Sequence, residues 1–150
     1  MGEWRNSKAE GYGVHIYKNG DRYEGEWKSN LKNGKGTEVL ANGDVYVGYY
    51  RNGRFDGFGQ YIWKDGSMFE GDFKNGIKHG KGKWRKDKDN LSSNSYEGEF
   101  NNDVKHGLGK FLWASGNCYR GEFVNEERNG FGEMKWTDGS IYMGQWVKSI

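Results

Sequence analysis

Proline is absent from this chain of 150 residues, and cysteine occurs once. A lone Cys118 can form no internal disulfide and supplies no cysteine framework for a metal. Alanine appears three times and leucine five times against 26 glycines, which excludes a helical bundle. No apolar run approaches the ~18 residues that a membrane-spanning helix needs. The opening MGEWRNSKAEG lacks the apolar core of a secretory signal, so the expectation is a reducing, cytoplasmic setting. Leu, Ile, Val and Phe together make only 25 residues, a share met in disordered chains. Disorder also calls for a high net charge, and here 23 basic residues meet 21 acidic ones, leaving +2. That balance gives no global attraction to nucleic acid, which is not expected as a partner.

What the chain has in their place is rings: 7 Trp, 10 Tyr and 8 Phe. Large rings bury much area with few residues. The composition therefore predicts an ordered protein whose core is aromatic rather than aliphatic.

The rings recur at a fixed period. Tyr23, Tyr46 and Phe69 are 23 residues apart, Tyr96 follows Phe69 by 27, and Tyr119 and Tyr142 follow again at 23. Each opens a pentad: YEGEW, YVGYY, FEGDF, YEGEF, YRGEF and YMGQW, with a headless GEW at 2–4. Nine residues after each pentad glycine comes a Gly-x-Gly, from Gly11/Gly13 to Gly130/Gly132. A turn dipeptide usually follows, as in Asn19-Gly20, Asn42-Gly43, Asp65-Gly66, Ser115-Gly116 and Asp138-Gly139. The copy that starts at Phe69 instead carries KDKDNLSSNS (86–95), four residues longer and polar, which reads as a surface loop.

This pattern resembles the MORN (membrane occupation and recognition nexus) repeat over essentially the whole chain. The copies are a partial one at 2–22, repeats at 23–45, 46–68, 69–95, 96–118 and 119–141, and a partial one at 142–150. The family's second glycine is present as Gly53 and Gly76 and replaced by Asn30, Asp103 and Glu126. The chain opens within a pentad and stops four residues after YMGQW, so a fragment, or ends that join other chains, is expected.

Strand side chains alternate faces. In YEGEW, Tyr23, Gly25 and Trp27 share face A, while Glu24 and Glu26 share face B. Gly57, Gly59, Tyr61 and Trp63 share one face of the following strand. Each repeat thus reads as a β-hairpin, with Asn-Gly and Asp-Gly supplying primed turns. The fold expected is all-β: an elongated, twisted, single-layer antiparallel sheet of stacked hairpins. Its thirteen strands would span about 60 Å at ~4.8 Å each. Strand-centre glycines such as Gly25, Gly48 and Gly71 weaken a strand. They are expected where a ring from a neighbouring strand lies flat on a bare Cα. Face B, with Glu24, Glu70, Glu97 and Glu99 opposite Lys35, Lys81, Lys83 and Lys110, is expected to be polar and laddered by opposite charges.

No catalytic constellation stands out. Gly-x-Gly never occurs as G-x-G-x-x-G opening a helix or as G-x₄-G-K-[ST]. His79 and His106 hold the same repeat position and are expected in neighbouring turns, not in a metal site. His15 reads as a packed residue among rings. Cys118 has no diagnostic His–Asp partner, and carboxylates that recur in every repeat read as scaffolding. Asn90-Leu91-Ser92 matches a glycosylation sequon, expected to stay unmodified without a secretory signal. No enzyme, cofactor or metal is expected.

Two surfaces remain. Lys78, Lys81, Lys83, Arg85 and Lys86, within a longer basic run, could offer weak contact to anionic phospholipid. The aromatic face could be pure core, or a groove for an extended or helical peptide of another protein or for a further chain of the same kind. The groove is preferred, with Trp63, Phe73, Trp84, Phe100 and Trp113 as its partner-binding residues, since binding energy concentrates in sheltered rings. The resemblance implies a non-catalytic scaffold. It implies relatives in radial spoke heads of cilia, junctophilins, cytoskeletal scaffolds and plant-type phosphatidylinositol phosphate kinases, with NGDRYEGEW and HGKG most like the ciliary and kinase-linked arrays. A ciliary or cytoskeletal location follows from it as an expectation, with a regulatory piece of a lipid kinase as the alternative.

Overall fold

Alternating rings and charges, interrupted by turn residues every eight to twelve positions, specify short antiparallel strands. The computed structural model of the chain, which describes residues 2–5 and 8–149, carries them as expected. They are β1 (Gly2–Arg5), β2 (Lys8–Ile16), β3 (Arg22–Lys28), β4 (Leu31–Val39), β5 (Val45–Arg51), β6 (Arg54–Ile62) and β7 (Met68–Lys74). There follow β8 (Ile77–Arg85), β9 (Ser95–Asn101), β10 (Val104–Leu112), β11 (Cys118–Val124), β12 (Glu127–Lys135) and β13 (Ile141–Ser149). All thirteen form one open sheet whose spatial order is the chain order. Odd strands carry the pentads and even strands the Gly-x-Gly motifs.

Each even strand meets its two neighbours differently. Toward the next pentad the register is continuous from β2 through β10, as in Gly57↔Phe73, Gly59↔Gly71 and Tyr61↔Phe69, and shifts in β12 between Arg128 and Gly130. Toward its own pentad it shifts: Gly48 faces Gly59, but Tyr50 faces Phe55. The even strand therefore bulges, and a bulge bends and twists a sheet. The first glycine of the motif sits at this bulge with positive φ, 93° at Gly57. The pentad glutamate closes it: Glu26 accepts from the N–H of Lys35 at 2.6 Å, and Glu99 from that of Leu108 at 2.6 Å.

The turns correct the expected assignment. At Asn19-Gly20 and its equivalents only glycine has positive φ, and Gly20 donates to Tyr17 O while Tyr17 N donates to Asp21 O. That is a three-residue loop ending in a left-handed glycine, not a primed turn. The primed pattern occurs in the other turn of each repeat, where both central residues are left-handed: Asn52 at 50° and Gly53 at 84°. Asn30, Asp103 and Glu126 hold the same conformation at 67°, 71° and 76°. Their side chains offset the strain. Asn30 accepts from Ala9 N, Asp103 from Lys78 N and Glu126 from Lys105 N. A side chain thus ties each of these turns to the preceding repeat.

The interlocking of rings and glycines is present. The Tyr23 ring covers Gly36 so closely that a Cβ there would lie 2.5 Å from Cε1 and 2.6 Å from Cζ. Tyr46, Phe69, Tyr96 and Tyr119 cover Gly59, Gly82, Gly109 and Gly132 in the same way. For the pentad glycine the first obstacle is backbone: a Cβ on Gly71 would meet Gly82 Cα at 2.6 Å and Lys81 O at 2.7 Å, before Phe69 Cζ at 2.9 Å. The hydroxyls of Tyr23, Tyr46, Tyr96 and Tyr119 each donate to a carbonyl of their own pentad, as Tyr23 does to Glu26 O at 2.8 Å. Burial pushes the Tyr23, Tyr46 and Tyr96 hydroxyl pKa values well above 10. Successive rings meet edge to face, Tyr23 with Tyr50 at 5.0 Å and Tyr96 with Phe123 at 5.1 Å.

Face B is less polar than expected. Tyr12 (53%), Phe58 (53%), Leu108 (63%) and Phe131 (53%) stand exposed on it, because a single-layer sheet has nothing to lay over that side. The charge ladder is also thin. Among the described residues Lys83–Glu97 at 4.0 Å is its one cross-strand ion pair, since Glu26, Glu99 and Glu122 turn to the bulge N–H groups instead.

Candidate functional site

Face A has two rows of side chains. The pentad row is the core: Tyr23, Tyr46, Tyr50, Phe69, Phe73, Tyr96, Phe100, Tyr119 and Phe123 are buried. Phe73 and Phe100, each 6% exposed, belong to this row. The row from the even strands and the turns after them is partly open and includes Tyr61, Trp63, Trp84, Phe111 and Trp113. Of the five residues singled out from the sequence, Trp84, Phe100 and Trp113 line one groove. Trp63 borders it through Lys78, whose Nζ lies 5.3 Å from its ring. Phe73 packs among Tyr46, Phe55 and Phe69.

A second feature runs along face A. Four residues before the second glycine of each motif stand Lys32, Phe55, Lys78, Lys105 and Arg128, with Ala9 in the first copy. The cations lie on rings at cation–π distance. Lys32 Nζ is 4.8 Å from the Tyr17 ring and 5.3 Å from Tyr23. Lys78 Nζ is 5.5 Å from Phe69 and 5.7 Å from Phe100. Lys105 lies 5.7 Å from both Tyr96 and Phe111, and the Arg128 guanidinium 5.3 Å from Trp113 and 4.9 Å from Trp146. The fifth position, Phe55, stacks on Tyr46 at 3.8 Å.

The surroundings of these groups differ along the array. In residues 23–68, Lys32 pairs with buried Glu38 at 3.0 Å, and the Tyr50 hydroxyl donates to the same carboxylate at 2.9 Å. With Phe55 stacked beside them, that half is filled. In residues 69–136 a groove of about 410 Å³ opens, walled by Trp84, Phe111 and Trp113 with Lys78, Lys105 and Arg128 around it. The position held by Tyr17, Trp63, Trp113 and Trp136 is Leu40 in the repeat 23–45 and Lys86 in the long repeat, where it is exposed. Glu126 pairs with Lys105 here. Lys78 Nζ has no carboxylate at ion-pair distance among the described residues. Burial among the rings lowers its pKa, and the charges of Asp103 and Glu126 partly oppose the shift.

The basic run does not form one patch. Lys78 belongs to the aromatic face, whereas Lys81 and Lys83 are exposed on face B opposite Glu99 and Glu97. Arg85 is half-buried, with an Nε that has no hydrogen-bond partner among the described residues. His79 and His106 lie in β8 and β10 rather than in turns, and His106 accepts from Asn125 N at 3.4 Å. Exposed His15 touches Tyr17 and Trp27 edge to face. No group of three potential metal ligands occurs among the described residues.

A family model described as the MORN repeat matches residues 1–22, 23–45, 46–68, 69–89, 96–118 and 119–141. The chain belongs to the MORN repeat family. Its repeats suggest a protein- or membrane-interaction module. Positions 90–95 of the long MORN copy fall between matched segments. No curated protein matches the sequence. Among solved structures the MORN sheet is similar to the TCP domain of SAS-4 (dCPAP) of Drosophila melanogaster, solved in complex with a proline-rich motif of Ana2 (dSTIL). Identity is 11%, the match covers 89% of this chain and 71% of that one, and the TM-score is 0.54. A catalytically inactive virginiamycin B lyase from Staphylococcus aureus with Quinupristin also matches, at 10% identity over 95% of this chain and 58% of that one, with a TM-score of 0.23. The likeness to the TCP domain concerns the fold alone.

The cation row of the MORN array was legible in the sequence and escapes a reading centred on rings. Lys32, Lys78, Lys105 and Arg128 share the parity of the Gly-x-Gly glycines, which places them on face A. Counting Lys78 with its basic neighbours in sequence hides that parity.

Proposed function

We propose that this MORN array is a non-catalytic interaction module that holds an extended segment of a partner protein across the open half of its aromatic face. The observation that carries this reading is the groove beside the long repeat. Trp84, Phe111 and Trp113 present ring surface there that no second layer covers, and cations stand along its edge. Extended, proline-rich segments dock in aromatic-lined grooves of this kind, because they enter already ordered and lie flat on rings. The similarity to a domain solved with a proline-rich motif supports an extended occupant.

The test is affinity capture with the folded chain, run in parallel for the parent, the Trp84→Ala/Trp113→Ala variant and the Glu97→Lys/Glu99→Lys variant, with circular dichroism on each. The reading expects partners lost from the tryptophan variant alone. Capture unchanged by the tryptophan pair and abolished by the glutamate pair would move the interface to face B. On anionic vesicles the chain is expected to bind weakly and to detach at physiological salt, because Lys81 and Lys83 face carboxylates and are screened. Salt-resistant sedimentation abolished by Lys81→Glu with Lys83→Glu would favour a membrane role.

A further inference from the structure

Among the described residues, Lys78 is the lysine of the face-A row with no carboxylate at ion-pair distance. Its ammonium sits within 5.7 Å of the Trp63, Phe69 and Phe100 rings and lines the groove. The other lysines of the row are settled. Lys32 has Glu38, Lys105 has Glu126, and at the equivalent position of the second full repeat a stacked phenyl ring, Phe55, replaces the cation. The two acids whose charge reaches Lys78 are engaged elsewhere. Asp103 accepts from the Lys78 backbone N–H at 2.7 Å, and Glu126 holds Lys105. Ring faces favour a cation, yet they offer no acceptor for its three N–H donors. A half-buried ammonium of this kind gains most from a carboxylate delivered into the groove, where water is partly excluded and charge-assisted hydrogen bonds are strong.

We infer that the groove selects an extended peptide segment carrying an aspartate or glutamate, whose carboxylate is received by Lys78 while the flanking apolar residues lie on Trp84, Phe111 and Trp113. This rests on the groove reading above and adds the chemistry of the occupant. Lys105 and Arg128 line the same groove with Glu126 as the one acid among its lining residues, which leaves the lining net positive, so the complementary segment is acidic rather than basic.

The experiment uses a displayed library of random twelve-residue peptides, selected on the parent chain and on Lys78→Met, Lys78→Arg and Trp84→Ala/Trp113→Ala. Near-ultraviolet circular dichroism certifies the fold of each variant. An enriched peptide is then resynthesised with its acid changed to the amide. The expected result is enrichment of one acidic position flanked by apolar residues on the parent and on Lys78→Arg but not on Lys78→Met. The acid peptide should bind about tenfold or more tightly than its amide to the parent. The two should bind equally to Lys78→Met. Enriched peptides without an acid that still depend on Trp84 and Trp113 would overturn the inference and leave the groove standing. No enrichment on the parent beyond the tryptophan variant would overturn both.

Discussion

Residues 23–68 and 69–136 are built on one repeat, yet their aromatic faces are finished differently. In the first stretch the positions above the buried tyrosines are occupied from within: Lys32 is neutralised by Glu38, which also accepts from the Tyr50 hydroxyl, and Phe55 lies flat on Tyr46. In the second, the groove between Trp84 and Trp113 stays open, with Lys78, Lys105 and Arg128 around it. The two halves share their ring-over-glycine core. The difference teaches that in a stacked array, where each repeat touches only its neighbours, the finish of one face can vary from repeat to repeat while the core beneath it stays the same.

The strongest way to break the comparison is at the shared core. Gly36→Val in the filled half and Gly109→Val in the open half should each cost about 3 kcal/mol or more, since a Cβ already collides with a tyrosine ring. Gly66→Ala, with φ of 95° and nothing within 4 Å, should cost only about 1 kcal/mol of backbone strain. Denaturant midpoints for the three variants decide it; tolerance of valine in either half would mean that the halves do not share one core.

Next in size is the pair of lysines at equivalent positions. Lys32→Met leaves the buried Glu38 carboxylate without its cation and should cost about 3 kcal/mol. Lys78→Met removes a half-buried charge with no carboxylate at ion-pair distance among the described residues, and stability should hold or rise. Equal losses in urea titrations would erase the distinction between closed and open halves.

A smaller effect separates the rings. Trp113→Ala should weaken partner binding by about 2 kcal/mol, as truncated interface tryptophans do. Tyr17→Ala, beside Lys32, should leave partner affinity unchanged. Phe73→Ala and Phe100→Ala should act first on stability, because both side chains are core. Calorimetric titration of the partner segment beside thermal melts tells the two classes apart.

The subtlest test is titration of Lys78 itself. Its ammonium should lose its proton below the ordinary lysine value of 10.5, because burial disfavours the charged form. An acidic peptide in the groove should move the midpoint upward. Side-chain nitrogen spectra of a labelled sample, with Lys78→Met for assignment, measure both; a free-chain midpoint at or above 10.5 would mean that the rings do not shelter the ammonium.

The spacing of the pentads was enough to lay out the thirteen strands, their order and the face on which Tyr23, Tyr46, Phe69, Tyr96 and Tyr119 lie, because a strand has period two and a repeat has one geometry. It also pointed to rings lying on bare glycines, but at Gly25, Gly48 and Gly71, where the first obstacle is backbone, whereas the rings cover Gly36, Gly59 and Gly82. The bulge was not legible. Gly57 and Gly59 look alike in sequence, but one bends the strand and the other receives a ring. Nor did sequence show which turn is primed, since Asn19-Gly20 and Asn52-Gly53 are the same dipeptide in different loops. The site was half legible: the tryptophans stood out, while Lys78 was grouped with sequence neighbours that point to the other face.

The sequence by itself determined the family, the sheet and the membership of each face, since these follow from local periodicity repeated along the chain. Only the tertiary structure decided which face-A groups are consumed by the fold and which remain available. That depends on which acid each cation meets in space: Glu38 reaches Lys32 along the same strand, Glu126 reaches Lys105 from a turn of the next repeat, and none stands at ion-pair distance from Lys78 among the described residues, so the repeat spacing alone does not assign the partner.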